Sequence, residues 1–181
     1  MSQIKVNSII PVAGVPTGGG GGIIQIKQTY KTDVFSSTSA GTHDVTGLSV
    51  SITPTSTSSK ILVLCELGGH VHNAMGGSFQ IKRTISGSAT TIGLADAAGS
   101  RQVSSFSSHL YTGDGGGSGN IILAANARIL DSPSTTSAIT YQVVMIQITT
   151  NLYCINRSET DNDTTDFART VSNITAMEVS A

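Results

Sequence analysis

The sequence predicts an all-β fold, an antiparallel β-sandwich or jelly roll, and three observations carry that reading. Ser, Thr, Gly and Asn fill positions that Lys and Glu hold in most soluble chains. Charged residues are only 12% of the total, and good helix formers are scarce. Val, Ile and Thr are abundant and recur in short alternating runs. About ten such runs succeed one another at roughly 8 to 12 residue spacing, separated by Gly, Asn, Asp, Ser or Pro clusters, with no amphipathic helix between them. The 181 residues suffice for one compact domain with a buried core.

Taken in order, "QIKVNSIIPV" places Ile4, Val6 and Ile9 or Ile10 in a short extended stretch ending at Pro11, without a local strand partner. Pro16 and the glycines from Gly18 to Gly22 form a joint of near-random-coil type. Residues 1–22 therefore read as an arm and hinge, and residues 23–181 as the folded body. The plain alternative for the first stretch is an untethered leader. After the hinge, "IIQIKQTYK" puts Ile24, Ile26 and Tyr30 on one face, which is expected to be the buried one, with Lys27 and Thr29 opposite. In "GLSVSITP", Leu48, Val50 and Ile52 alternate with Ser49, Ser51 and Thr53 until Pro54. Further strands are expected in "SFQIKRTI", "ATTIGLAD", "SSFSSHLYT", "NIILAANARILD", "NLYCINRS" and "NITAMEVSA".

Two runs carry more apolar surface than a sandwich core needs. "ILVLCEL" is apolar at nearly every position from Ile61 to Leu67, and "YQVVMIQI" has rows on both faces: Tyr141, Val143 and Met145 on one, Val144, Ile146 and Ile148 on the other. If one row is core, the second needs a partner, and a neighbouring subunit is the economical choice. A homo-oligomer is expected, with Val144, Ile146 and Ile148 at the subunit interface.

Composition excludes several classes. A net charge of −1 gives no basic patch for nucleic acid. No run approaches the roughly 18 apolar residues that span a bilayer, and "MSQIKVNSII" lacks the pattern of a secretory leader. The sequons at Asn156, Asn162 and Asn173 accordingly carry little weight. Cys65 and Cys154 lie in apolar runs without Cys-x-x-Cys spacing and read as buried free thiols. Catalysis is not expected: no Gly-x-Ser-x-Gly, paired-carboxylate or His-Glu-x-x-His pattern occurs, and "TGGGGG" lacks the Lys-Ser/Thr pair of a phosphate loop.

One constellation has a chemical argument. On a strand, His70 and His72 of "GGHVHNAMGG" would share a face about 7 Å apart, and imidazole is a favoured transition-metal ligand. The plain reading is a loop tip between two glycine pairs. Recognition is better placed on the polar, glycine-rich stretches "GGHVHNAMGG", "TGDGGGSGN" and "SETDNDTTDFART", with Asn73, Asp114, Asn120, Asp161 and Asp163 as contact residues. The last stretch clusters Glu159, Asp161, Asp163 and Asp166 without the ordered spacing of a calcium loop, and reads as a solvated acidic turn.

Several phrases together resemble small fibre-like virion structural proteins of tailed phages, particularly cyanophages: "IKVNSIIPVAGVPTGGGGGIIQIKQTYKTDVFSSTS", "GLSVSITPTSTSSKILVL", "LDSPSTTSAITYQV", "INRS" and "ITAMEVSA". The resemblance implies a trimeric knob with a tumour-necrosis-factor-like jelly roll. It also implies virion proteins as partners of Ile4, Val6, Ile9 and Ile10, host-surface glycan or receptor contact at the loops, and an axial metal shared by His-x-His pairs of three chains. A long fibre shaft is missing between arm and body. A tail-tip knob, a short appendage or a capsid decoration protein each suits this length, and a small glycan-cleaving tail enzyme is the contrasting reading.

Overall fold

The computed structural model describes residues 22–72, 77–108 and 122–180. The arm and most of the hinge, with Ile4, Val6, Ile9 and Ile10, lie outside them. The described residues form eleven antiparallel strands and no helix. In chain order these are β1 (Ile23–Lys31), β2 (Phe35–Ser37), β3 (Gly41–Ile52), β4 (Lys60–His72), β5 (Gly77–Ile85), β6 (Ser88–Ile92), β7 (Phe106–Ser108), β8 (Leu123–Asp131), β9 (Ile139–Gln147), β10 (Tyr153–Ile155) and β11 (Ser172–Val179).

They make two sheets in a sandwich-like arrangement. The six-stranded sheet runs β1-β11-β4-β10-β2, with β8 on the free side of β4. The five-stranded sheet runs β3-β9-β5-β6, with β7 also on β5. The ladders nest: β1·β11 encloses β3·β9, which encloses β4·β8, which encloses β5·β6. The innermost pair is a hairpin whose two turn residues, Ser86 and Gly87, both have positive φ (48° and 83°), the backbone that matches the twist of paired strands.

Alternation selects the core. Ile61, Val63, Cys65 and Leu67 of β4, and Tyr141, Val143 and Met145 of β9, point inward and are at most 1% exposed. They pack with Leu48, Val50, Ile52, Phe79, Ile81, Ile155, Ile174 and Ala176. Phe79 stacks on Phe106 with centroids 5.2 Å apart, adding a preferred aromatic geometry to plain burial. Tyr141 donates its hydroxyl to Asp131 at 2.7 Å, and Arg83 donates to the other carboxylate oxygen at 2.7 Å, so the polar atoms at this core edge are satisfied.

Three expectations need correction. In β1 the apolar face is the outward one, with Ile26 and Tyr30 55% and 61% exposed, while Lys31 on the opposite row is buried. The phase of this edge strand is set by its pairing with β11, Ile26 opposite Met177 and Tyr30 opposite Asn173, and not by its own alternation. The glycine pair Gly68–Gly69 is no loop tip but lies inside β4, at a register shift against β8 between Leu67 and His70. There β10 follows β11 as the neighbour of β4. A Cβ on Gly68 would run into the Val171 carbonyl, so only glycine fits this crossing. Finally, β2 and the first half of β3 add strand where none was expected.

Asn156 closes the same region. It sits at φ 69°, a conformation asparagine tolerates better than most residues, and is fully buried. Its side-chain amide donates to Lys31 O (2.8 Å) and Asp33 O (3.0 Å) and accepts from the Ser172 hydroxyl (2.6 Å). Its backbone N–H donates to Gly69 O (2.7 Å). Asn156→Ala strands these buried partners and is expected to cost about 2–4 kcal/mol, read as a lower urea midpoint at unchanged slope. Gly68→Ala, which forces β4 away from Val171, is expected to cost about 1–3 kcal/mol in the same measurement.

Candidate interaction surfaces

Several of the described histidine, acid and thiol side chains are tied into the fold. His43 Nε2 lies 2.7 Å from Ser39 O and 3.3 Å from Ser37 Oγ, holding the β2–β3 corner. Lys31 is a buried cation whose ammonium donates to Asp33 at 2.7 Å, and this hydrogen bond is the main reason that the Asp33 carboxyl titrates below its ordinary range. Both cysteines are free and buried, and burial pushes the Cys65 thiol up to about 12, so it is not a nucleophile near neutral pH. Among the described residues no three of His, Cys, Asp and Glu are grouped to hold a metal ion.

The residues singled out from the sequence fall as follows. His70 and His72 occupy the last positions of β4, their backbones opposite Ile155 and Tyr153 of β10. The metal reading rests on their side chains, which lie outside the described residues, as do Asn73, Asp114 and Asn120. Asp161 accepts both Nη2 bonds of Arg169 (2.6 and 2.7 Å) and lies 3.4 Å from Arg157, so the acidic turn is closed by its own arginines. Asp163 is exposed. In the β9 row, Ile148 is 64% exposed, whereas Val144 is buried within the subunit. Asp44 of β3 and Lys82 of β5 form an ion pair across β9, a polar strap over this face.

The registers give the sandwich two unlike ends. At the first lie Gly22, Ile23, Val179, Lys60 and Asp131 in one sheet, and Ile52, Ile139 and Ile85 in the other. At the second lie Lys31, Ser172, His72 and Leu123, with Gly77 opposite Ser108. The anchors of all three recognition stretches are therefore at the second end. In the chain, residues 73–76 link His72 to Gly77, residues 109–121 link Ser108 to Ile122, and the acidic turn joins β10 to β11. The arm joins at the first end. Gly22 and Ser180 exchange contacts there: Ser180 N–H donates to Gly22 O at 3.0 Å, and Gly22 N–H donates to Ser180 Oγ at 2.9 Å.

Glu178 locks this corner. Its side chain is covered, and one carboxylate oxygen accepts from Gln25 (2.7 Å), the other from Thr55 N–H (2.6 Å) and Thr55 Oγ1 (2.7 Å). Burial opposes its ionisation, but the bonds from Gln25, Thr55 and Ser59 outweigh it and hold the carboxyl below 4.5.

A second surface was only half visible in the sequence. The outward row of the six-stranded sheet reads Ile26, Met177, Leu62 and Leu130 across four directly paired strands. The adjacent rows are Gln28, Thr175, Leu64 and Arg128, then Tyr30, Asn173, Glu66 and Asn126. Ile26, Tyr30 and Leu130 are each more than half exposed. Shallow hollows flank Leu64 on both sides. The double apolar character of "ILVLCEL" was the signal for this face; β1 and Leu130 join it only through pairing. No protein-family model matches the chain, and no curated protein matches it.

Because the folded Glu178 carboxyl titrates below its unfolded value, its contribution is complete above about pH 4.5 and is lost as pH falls through the lower folded value. Melting temperature should drop on acidification below pH 4.5, and Glu178→Gln should lower it at pH 7 while flattening that acid limb. An unchanged acid limb in the variant would assign the acid sensitivity elsewhere.

Proposed function

We propose that this chain is a virion structural protein of a tailed phage, a homotrimeric knob on a tail fibre or short appendage, attached through residues 1–22 and presenting its loops to the host surface. The observation that carries the reading is the polarity of the sandwich: the arm joins at the corner held by Glu178, and the three loop stretches are anchored at the opposite end. Along β4 these ends lie roughly 40 Å apart at the usual strand rise. The nested ladders support a jelly-roll winding of the knob, which is built from such enclosed pairs.

Ile4→Asp combined with Val6→Asp should abolish incorporation into particles while leaving the melting of the purified body within about 1 °C, a shift well below that of a 1 kcal/mol change. Incorporation at normal copy number would overturn the arm reading. Gold-labelled antibody on intact particles should mark the tail, and label spread over the capsid shell would instead assign a decoration role.

A further inference from the structure

We infer that the outward face of the six-stranded sheet, centred on Leu62 and Leu64, is the surface by which copies of this chain associate. The inference rests on the trimeric reading above and names its interface, in place of the β9 row that the sequence suggested. On β9 the spare apolar surface is largely spent inside the subunit, with Val144 buried beneath the Asp44–Lys82 strap. On the six-stranded sheet the described residues leave Ile26, Leu130 and Tyr30 more than half exposed.

Three features specify a second copy as the occupant. The first is area. Four strands about 4.8 Å apart and some seven residues long span a plane of roughly 450 Å², so two such faces together approach the ~1,000 Å² of total area that a specific contact needs. The second is composition. The row Ile26, Met177, Leu62 and Leu130 is bordered by Gln28, Thr175, Asn173 and Asn126, the apolar centre and polar rim of a subunit contact.

The third is self-complementarity. Tyr30 projects on the β1 edge, while a hollow lined by Leu62, Leu64, Glu66, Asn126 and Arg128 lies towards the β8 edge. Hollows lie on both sides of Leu64, one towards β8 and one towards β1, so the projecting Tyr30 of one copy can enter a hollow on the same face of another. Glu66 and Arg128 carry opposite charges on this face. Arg128 makes no ion pair among the described residues, and Glu66 accepts only from Asn173, at 3.2 Å. A neighbouring copy can supply each with its counter-charge.

Native mass measurement on the full-length protein at micromolar concentration tests this with three variants. Wild type should report three chains. Ile26→Asp with Leu130→Asp, both at positions already more than half exposed, should report one chain with an unchanged far-ultraviolet spectrum, and Tyr30→Asp alone should shift the population towards one chain. Ile148→Asp, on the β9 row, should remain three. A wild-type monomer overturns both the inference and the trimeric reading. Three chains retained in the folded double variant, or lost in Ile148→Asp alone, overturn this face and leave the trimer standing. A wild-type dimer lost in the double variant keeps the face and overturns the threefold order.

Discussion

The buried amide of Asn156 is the constraint on which the far end of the sandwich depends. It fixes, with one side chain, the exit of β1 at Lys31, the approach to β2 at Asp33 and the entry of β11 at Ser172, while its backbone fixes the bulge of β4 at Gly69. Lys31 and Asp33 lie more than a hundred residues before Asn156, and no hydrophobic pattern specifies the mutual register of these segments. Apolar burial is non-directional and tolerates a slip of one strand past another unless a face is exposed by it. A satisfied buried polar group does not, because any other register leaves its donors without acceptors. The core supplies the driving force, and Asn156 selects the arrangement.

That selection explains why Gly68 and Gly69 sit where they do. With β11 starting at Ser172 and the acidic turn entering just before it, β4 must pass against the Val171 carbonyl, closer than any side chain allows. Past that point β10 pairs with His70 and His72, and the sheet changes neighbours without losing its hydrogen bonds. The glycine pair, the asparagine and the handover from β11 to β10 are thus one device, and it lies at the end from which the loop stretches depart.

Much of this was legible in the sequence. Leu48, Val50 and Ile52 could be assigned inward because the row opposite them is Ser49, Ser51 and Thr53, whereas β9 is apolar on both rows and the fold selects Tyr141, Val143 and Met145 as the inward one. β1 was not legible in this way. It is an edge strand, its outward row is the more apolar one, and its phase follows from a partner some 150 residues later. Asn156 was legible only as a sequon, although full burial makes its amide a bonding hub. The Asp44–Lys82 strap was likewise invisible, since it joins residues that meet only after β9 has been laid between β3 and β5. Local periodicity reports which residues can face a core. It does not report which outward rows the subunit will cover with its own charges.

The two outward faces of the sandwich therefore differ for a physical reason. On the five-stranded sheet, β9 is flanked by β3 and β5, whose outward positions opposite it carry Asp44, Ser49, Ser51, Gln80, Lys82 and Thr84, and these long or polar side chains close over the apolar stems between them. On the six-stranded sheet, β4 is flanked by β11 and β8, whose positions opposite Leu62 carry Met177 and Leu130, so the outward positions run on as one apolar row. An isolated subunit holds that arrangement at a cost in hydrated apolar area, and the cost falls as the face is covered. A chain with net charge −1 meets little electrostatic resistance to meeting its own copies. Because the apolar row runs across the strands, covering it leaves clear both the strand ends at Gly22, Val179 and Lys60 and those at His72, Gly77 and Ser108.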